Sequence, residues 1–66
     1  MADAPRRDIY FEHTVIGGSV KVVAIDSVTA VEVAIVGPTH AARSDLERVA
    51  LRKLLARLAR EADGQG

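Results

Sequence analysis

The sequence predicts an α+β domain: a three-stranded antiparallel meander in order 1-2-3, with one carboxy-terminal amphipathic helix packed on one face. Three observations carry this. Residues 9 to 36 alternate apolar and polar side chains as strands do, residues 45 to 62 repeat apolar side chains at helical spacing, and Gly17-Gly18 and Gly37-Pro38 punctuate the first part. With 66 residues, 48% hydrophobic and 27% charged, the chain has material for one domain and one core. That domain is expected over residues 9–62, between a flexible arm at 1–8 and a frayed end at 63–66.

The first strand is Ile9 to Ile16, rich in β-branched and aromatic residues, and it runs into Gly17-Gly18 and a second such run, Ser19 to Asp26. A two-residue Gly-Gly loop between alternating segments is a hairpin signal. It sets Val15 opposite Val20, His13 opposite Val22 and Phe11 opposite Ala24. One face then carries Ile9, Phe11, His13, Val15, Val20, Val22 and Ala24, and the other Tyr10, Glu12, Thr14, Ile16, Lys21, Val23 and Ile25. Asp26 to Ala30 reads as a longer turn with Asp26 accepting backbone hydrogen bonds. Val31 to Val36 is the third strand, with Val31, Val33 and Ile35 on the Phe11 face and Glu32, Ala34 and Val36 on the other. Gly37-Pro38 is expected to end the sheet, because proline lacks the ladder donor.

Ser44 with Glu47 three residues on is a capping-box pattern, so the helix starts near Ser44, or earlier if Thr39 caps a preceding turn. Leu46, Ala50, Leu51, Leu54, Leu55, Leu58 and Ala62 form its apolar stripe, and Arg48, Arg52, Lys53, Arg57 and Arg60 lie mostly outside it. The helix and an eight-residue strand are similar in length, so one helix is expected to cover most of the sheet.

A chain this short buries only about 60% of its unfolded surface and is marginal alone. Cysteine is absent, so disulfides and thiolate metal sites are excluded, and two histidines cannot close a structural zinc shell. Self-association is the helper left over. The amino-terminal segment is short and charged, and no apolar run nears the roughly 20 residues of a membrane span, so a cytoplasmic protein is expected. Nine basic and nine acidic residues cancel. The amino-terminal part to residue 36 has three basic and five acidic side chains, the remainder six and four, too small a surplus for strong nonspecific attraction to polyanions.

Several stretches resemble a domain-of-unknown-function family of short bacterial proteins: Tyr10-Phe11-Glu12, Val20-Lys21-Val22 with Ala24-Ile25-Asp26, Glu32-Val33 with Ile35-Val36-Gly37-Pro38, and Ala50-Leu51-Arg52-Lys53-Leu54. The resemblance spans roughly residues 9 to 58. It supports the fold and implies no activity. The family pattern favours Pro after Asp26 and Gly before Val31, where this chain has Ser27 and Ala30. Ala30 would occupy a left-handed position at a cost of about 1 kcal/mol. Short members labelled serine hydroxymethyltransferase are no guide here. That chemistry needs a large pyridoxal-phosphate fold, beyond a 66-residue chain whose two lysines, Lys21 and Lys53, fall on a strand and a helix.

His13 and His40 read as a sheet-packing residue and a loop residue. Glu12, Lys21 and Glu32 read as cross-strand charges that solubilise a sheet face. Ser27, Thr29 and Ser44 lack a His-acid pairing, and Gly17-Gly18 is a turn rather than a phosphate loop, since no helix follows. No catalytic residue, cofactor, metal or small-molecule ligand is expected. The candidate interaction face is Tyr10, Ile16, Val23, Ile25, Ala34 and Val36, an apolar centre with a polar rim, and the two sheet edges offer a second route to association. The expected function is a non-enzymatic protein-interaction module with a second copy or another protein as partner. The alternative is a weak nucleic-acid binder using Arg48, Arg52, Lys53, Arg57, Arg60 and the Arg6-Arg7 arm.

Overall fold

The computed structural model describes residues 6–64. Its elements are β1 (Ile9–Ile16), β2 (Ser19–Asp26), β3 (Glu32–Pro38) and α1 (Arg43–Asp63), and the strands form one antiparallel sheet in order β1-β2-β3. Both expected registers hold, with Val15 opposite Val20, Phe11 opposite Ala24, and Ala24 in turn opposite Val33. In the first turn positive φ is confined to Gly17, at 61°, the type II′ pattern whose twist matches that of the strands it joins.

The second turn is built on Asp26, which is fully buried. Its Oδ2 accepts from Thr29 N at 3.0 Å and Thr29 Oγ1 at 2.7 Å, and the Arg7 guanidinium lies 2.9 Å from Oδ1. The Thr29 hydroxyl bond leads in holding the carboxyl below its ordinary range, against the opposing effect of burial, with the Thr29 amide and Arg7 adding to it. Ala30 takes the left-handed conformation, φ 64°. Of the expected arm at 1–8, residues 1–5 lie outside the described part. Asp8 is tied to this turn, donating its amide to Ser27 Oγ at 2.9 Å and accepting from Ser27 N at 3.0 Å.

The third strand departs from expectation. β3 begins at Glu32 and runs through Gly37, opposite Val20, to end on Pro38, opposite Ser19, so that the two residues expected to follow the strand are its last two. Proline is tolerated there because β3 is an edge strand, where a missing donor costs no ladder bond. Gly37 has a packing reason: a Cβ built on it would stand 2.5 Å from Leu46 Cδ2. Its bare backbone lets the start of α1 settle onto the sheet.

The helix starts beside Ser44, as expected, but without the expected side-chain cap. Ala42 is the N-cap, with extended φ −66° and ψ 136°, and no side chain caps the helix. The Ser44–Glu47 box does not form, because Ser44 already lies inside the first turn and Glu47 turns toward His13, its Oε2 3.1 Å from Nε2. Thr39 opens the connection to α1 and caps nothing.

Only Leu46, Ala50 and Leu54 of the apolar stripe are buried, a single i, i+4, i+8 row. They close a core with Val20, Val22, Ala24 and Val33. The helix contacts concentrate on two of the three strands, β2 and β3, and from β1 Ile9 and Phe11 are partly buried against the same core. A single row seats over the central strand, and the short connection from β3 keeps the helix to that side. None of the eight β1 side chains is fully buried.

Candidate interaction surfaces

The phase of the ladders decides which backbone groups of β1 are free. Asp26 N donates to Val31 O at 2.9 Å, Ser27 N to Asp8 O at 3.0 Å and Thr39 N to Gly18 O at 3.2 Å. Bonded and non-bonded pairs alternate along antiparallel strands. From these anchors, Tyr10, Glu12, Thr14 and Ile16 bond to β2, while the N–H and C=O groups of Ile9, Phe11, His13 and Val15 point away from the sheet. Three apolar side chains of this edge are also uncovered, Tyr10 at 56% exposed, Val15 at 69% and Ile16 at 62%, whereas Ile9 and Phe11 pack partly buried against the core. Val15 and Ile16 are consecutive, so they project from opposite faces.

The β3 edge is different. The same phase turns Glu32, Ala34 and Val36 outward, but Lys53 of α1 reaches over and donates Nζ to Ala34 O at 2.8 Å. Pro38 contributes no donor. A lysine and a proline along one edge are devices that discourage strand pairing.

The six residues expected to form an interaction face lie together on the side of the sheet away from α1, in cross-strand rows. Val23 sits between Glu12 and Ala34, Ile25 between Tyr10 and Glu32, and Lys21 between Thr14 and Val36. Tyr10, Ile16 and Val36 are exposed, whereas Val23, Ile25 and Ala34 are half-buried by their row neighbours.

Clefts open near both ends of α1, the one at its start bordered by β1. One, of about 350 Å³, lies at the start of α1 between Val15, His13, Val20, Thr39, Arg43 and Leu46. The other, of about 530 Å³, lies near the helix end, lined by Arg7, Thr29, Leu55, Leu58 and Ala62 among others. His13 borders the first with its side chain 12% exposed, and its Nε2 lies 3.1 Å from Glu47 Oε2 without an aligned hydrogen bond. His40 is exposed on the connection into α1. Among the described residues no three His, Asp or Glu side chains converge as metal ligands, and no helix is long and apolar enough to cross a membrane.

The five basic helix residues are not brought into one free patch. Arg57 bonds Glu61 at 2.7 Å, Arg48 lies 3.4 Å from Asp45, and Lys53 is engaged at the β3 edge, leaving Arg52 and Arg60 exposed. Arg6 and Arg7 pair with Asp8 and Asp26. Reading the residues one by one missed the roles of Glu47 and Lys53. A signal for the first was present: His13 is the polar residue of the helix-facing strand side, and Glu47 lies between Leu46 and Ala50 on the apolar stripe.

Comparison with curated proteins and with solved structures finds no match. A family model does match, over residues 6–61, spanning all three strands and nearly all of α1. The chain belongs to the family described as domain of unknown function DUF6898.

Proposed function

We propose that this chain is a small, non-enzymatic protein-interaction module that binds by strand addition at the β1 edge, with the adjoining open sheet face as secondary contact. One observation carries the reading: no β1 residue is fully buried and, among the described residues, its outer backbone groups have no partner, while the opposite edge is guarded by Lys53. Such an edge supplies main-chain hydrogen bonds for affinity and alternate side-chain positions for selectivity. The hydroxyls of Ser27 and Thr29 are committed to the second turn, which leaves the His13–Glu47 pair without a nucleophile from that turn. The basic helix face supports nucleic-acid binding less well, since three of its five cations are engaged within the chain.

The test is a photo-reactive residue placed at Val15, at Val36 or at Arg52 and irradiated in cells. Protein adducts concentrated at position 15 are the expected result. Adducts at 52 to nucleic acid, with position 15 silent, would replace this reading with the nucleic-acid one.

A further inference from the structure

Resting on the strand-addition reading, we infer that the occupant of the β1 edge is a second copy of the same chain. The two β1 strands run antiparallel about a two-fold axis at His13, giving a continuous six-stranded sheet. The first argument is which surfaces are bare. Val15 and Ile16 project from opposite faces of the sheet and are both largely exposed. A partner lying on one face would cover only one of them. A strand laid along the edge flanks both, and it also takes up the outward N–H and C=O groups of Phe11, His13 and Val15.

The second argument is register. The strand carries one charge, Glu12, and pairing about Glu12 would oppose two carboxylates about 4.5 Å apart at the Cα atoms, which is repulsive. Pairing about Phe11 would leave Val15 and Ile16 beyond the overlap. Pairing about His13 avoids both faults: Tyr10 lies opposite Ile16 of the second copy, Phe11 opposite its Val15, and Glu12 opposite its Thr14. Each exposed apolar residue gains an apolar or aromatic neighbour. Glu12 of one copy enters the row of Thr14 and Lys21 of the other, opposite in sign to Lys21. On the helix side Phe11 of the second copy comes beside Val15, at the rim of the cleft of about 350 Å³. The interface is isologous and closed, with the guarded β3 strands as the outer edges.

The chain has no cysteine, so paired single-cysteine variants report the register directly. Molar mass is measured by sedimentation over a concentration series for the wild type, Val15→Pro, Val15→Lys and Val23→Glu, each checked for fold by circular dichroism. The Val15 N–H points away from β2, so proline there removes no internal ladder bond, and the lysine variant serves if the proline variant does not fold. The wild type is expected to dimerise, the Val15 variants to dissociate at least tenfold more readily, and Val23→Glu to change little. Tyr10→Cys mixed with Ile16→Cys under oxidised glutathione is expected to give the mixed disulfide in preference to mixtures with Glu12→Cys or Thr14→Cys. A wild type monomeric at every concentration overturns the second copy as occupant and leaves strand addition to be judged by adducts at position 15. A dimer lost in Val23→Glu but retained in the Val15 variants overturns both. Preferred coupling of Tyr10→Cys to another position overturns the register.

Discussion

The ammonium of Lys53, on α1, donates to the carbonyl oxygen of Ala34, on β3, at 2.8 Å. This bond joins two residues 19 positions apart and makes the sheet edges unequal. One edge meets a charged side chain that a new strand would have to displace, and the other, among the described residues, is met by none.

Lys53→Met keeps an unbranched side chain out to the Cε position and removes the donor. The bond is exposed, so thermodynamic stability should change by no more than about 1 kcal/mol. Higher-order association, followed by light scattering over days, should rise as the second edge opens. A variant no more prone to assembly than the wild type would show that Lys53 guards nothing.

Gly37→Ala should destabilise the domain by about 1–3 kcal/mol, the range for overpacking a well-filled core. Leu46 is buried and faces the added methyl with its branched end. Chemical denaturation measures the change, and Leu46→Ala in the Gly37→Ala background should recover part of the overpacking cost. Additive losses would show that the two residues do not compete for one space.

The N-cap makes a paired prediction. Ser44→Ala should cost less than about 0.5 kcal/mol, since Ser44 makes no cap in the structure and a true cap is worth about 1 kcal/mol. Ala42→Asp, at the position that is the N-cap, should gain about 1 kcal/mol. Urea midpoints of the two variants against the wild type decide it, and a reversed order would place the helix start at Ser44.

Ala30→Gly should stabilise by up to about 1 kcal/mol, because relief of the left-handed strain exceeds the extra freedom glycine gives the unfolded chain. Thermal unfolding reads it. A lower midpoint would mean that the turn relaxes around alanine at little cost.

Asp26 predicts an acid limb of stability. Its carboxyl is held below the ordinary value of 3.8, so the folded state favours the ionised form. The stabilisation is complete above that value and is lost as pH falls below it through the lower folded-state value, where the proton removes the acceptor of the Thr29 bonds. Asp26→Asn should flatten this limb in denaturant titrations between neutral and strongly acidic pH. An unchanged acid limb would assign the effect to other carboxylates.

The sequence by itself determined the elements, the two strand registers, the face toward the helix and the Asp26 turn. These follow from local causes: a two-residue period, a Gly-Gly loop that admits one register, an Asp placed for its own turn, and leucines at helical spacing. Even the left-handed site of Ala30 was legible, through the glycine that the resembled family favours at that position. Only the tertiary structure decided how far the helix reaches across the sheet. The stripe of seven apolar residues is broad enough to suit either side, and which row is buried depends on the short link from β3 and on the space beside Gly37. That choice left the outer side of β1 and the side chains of Val15 and Ile16 exposed, sent Glu47 to His13 instead of to a cap, and carried Lys53 to the β3 edge. Each is a contact between residues distant in sequence, and periodicity along a chain holds no record of which distant partner a side chain will meet.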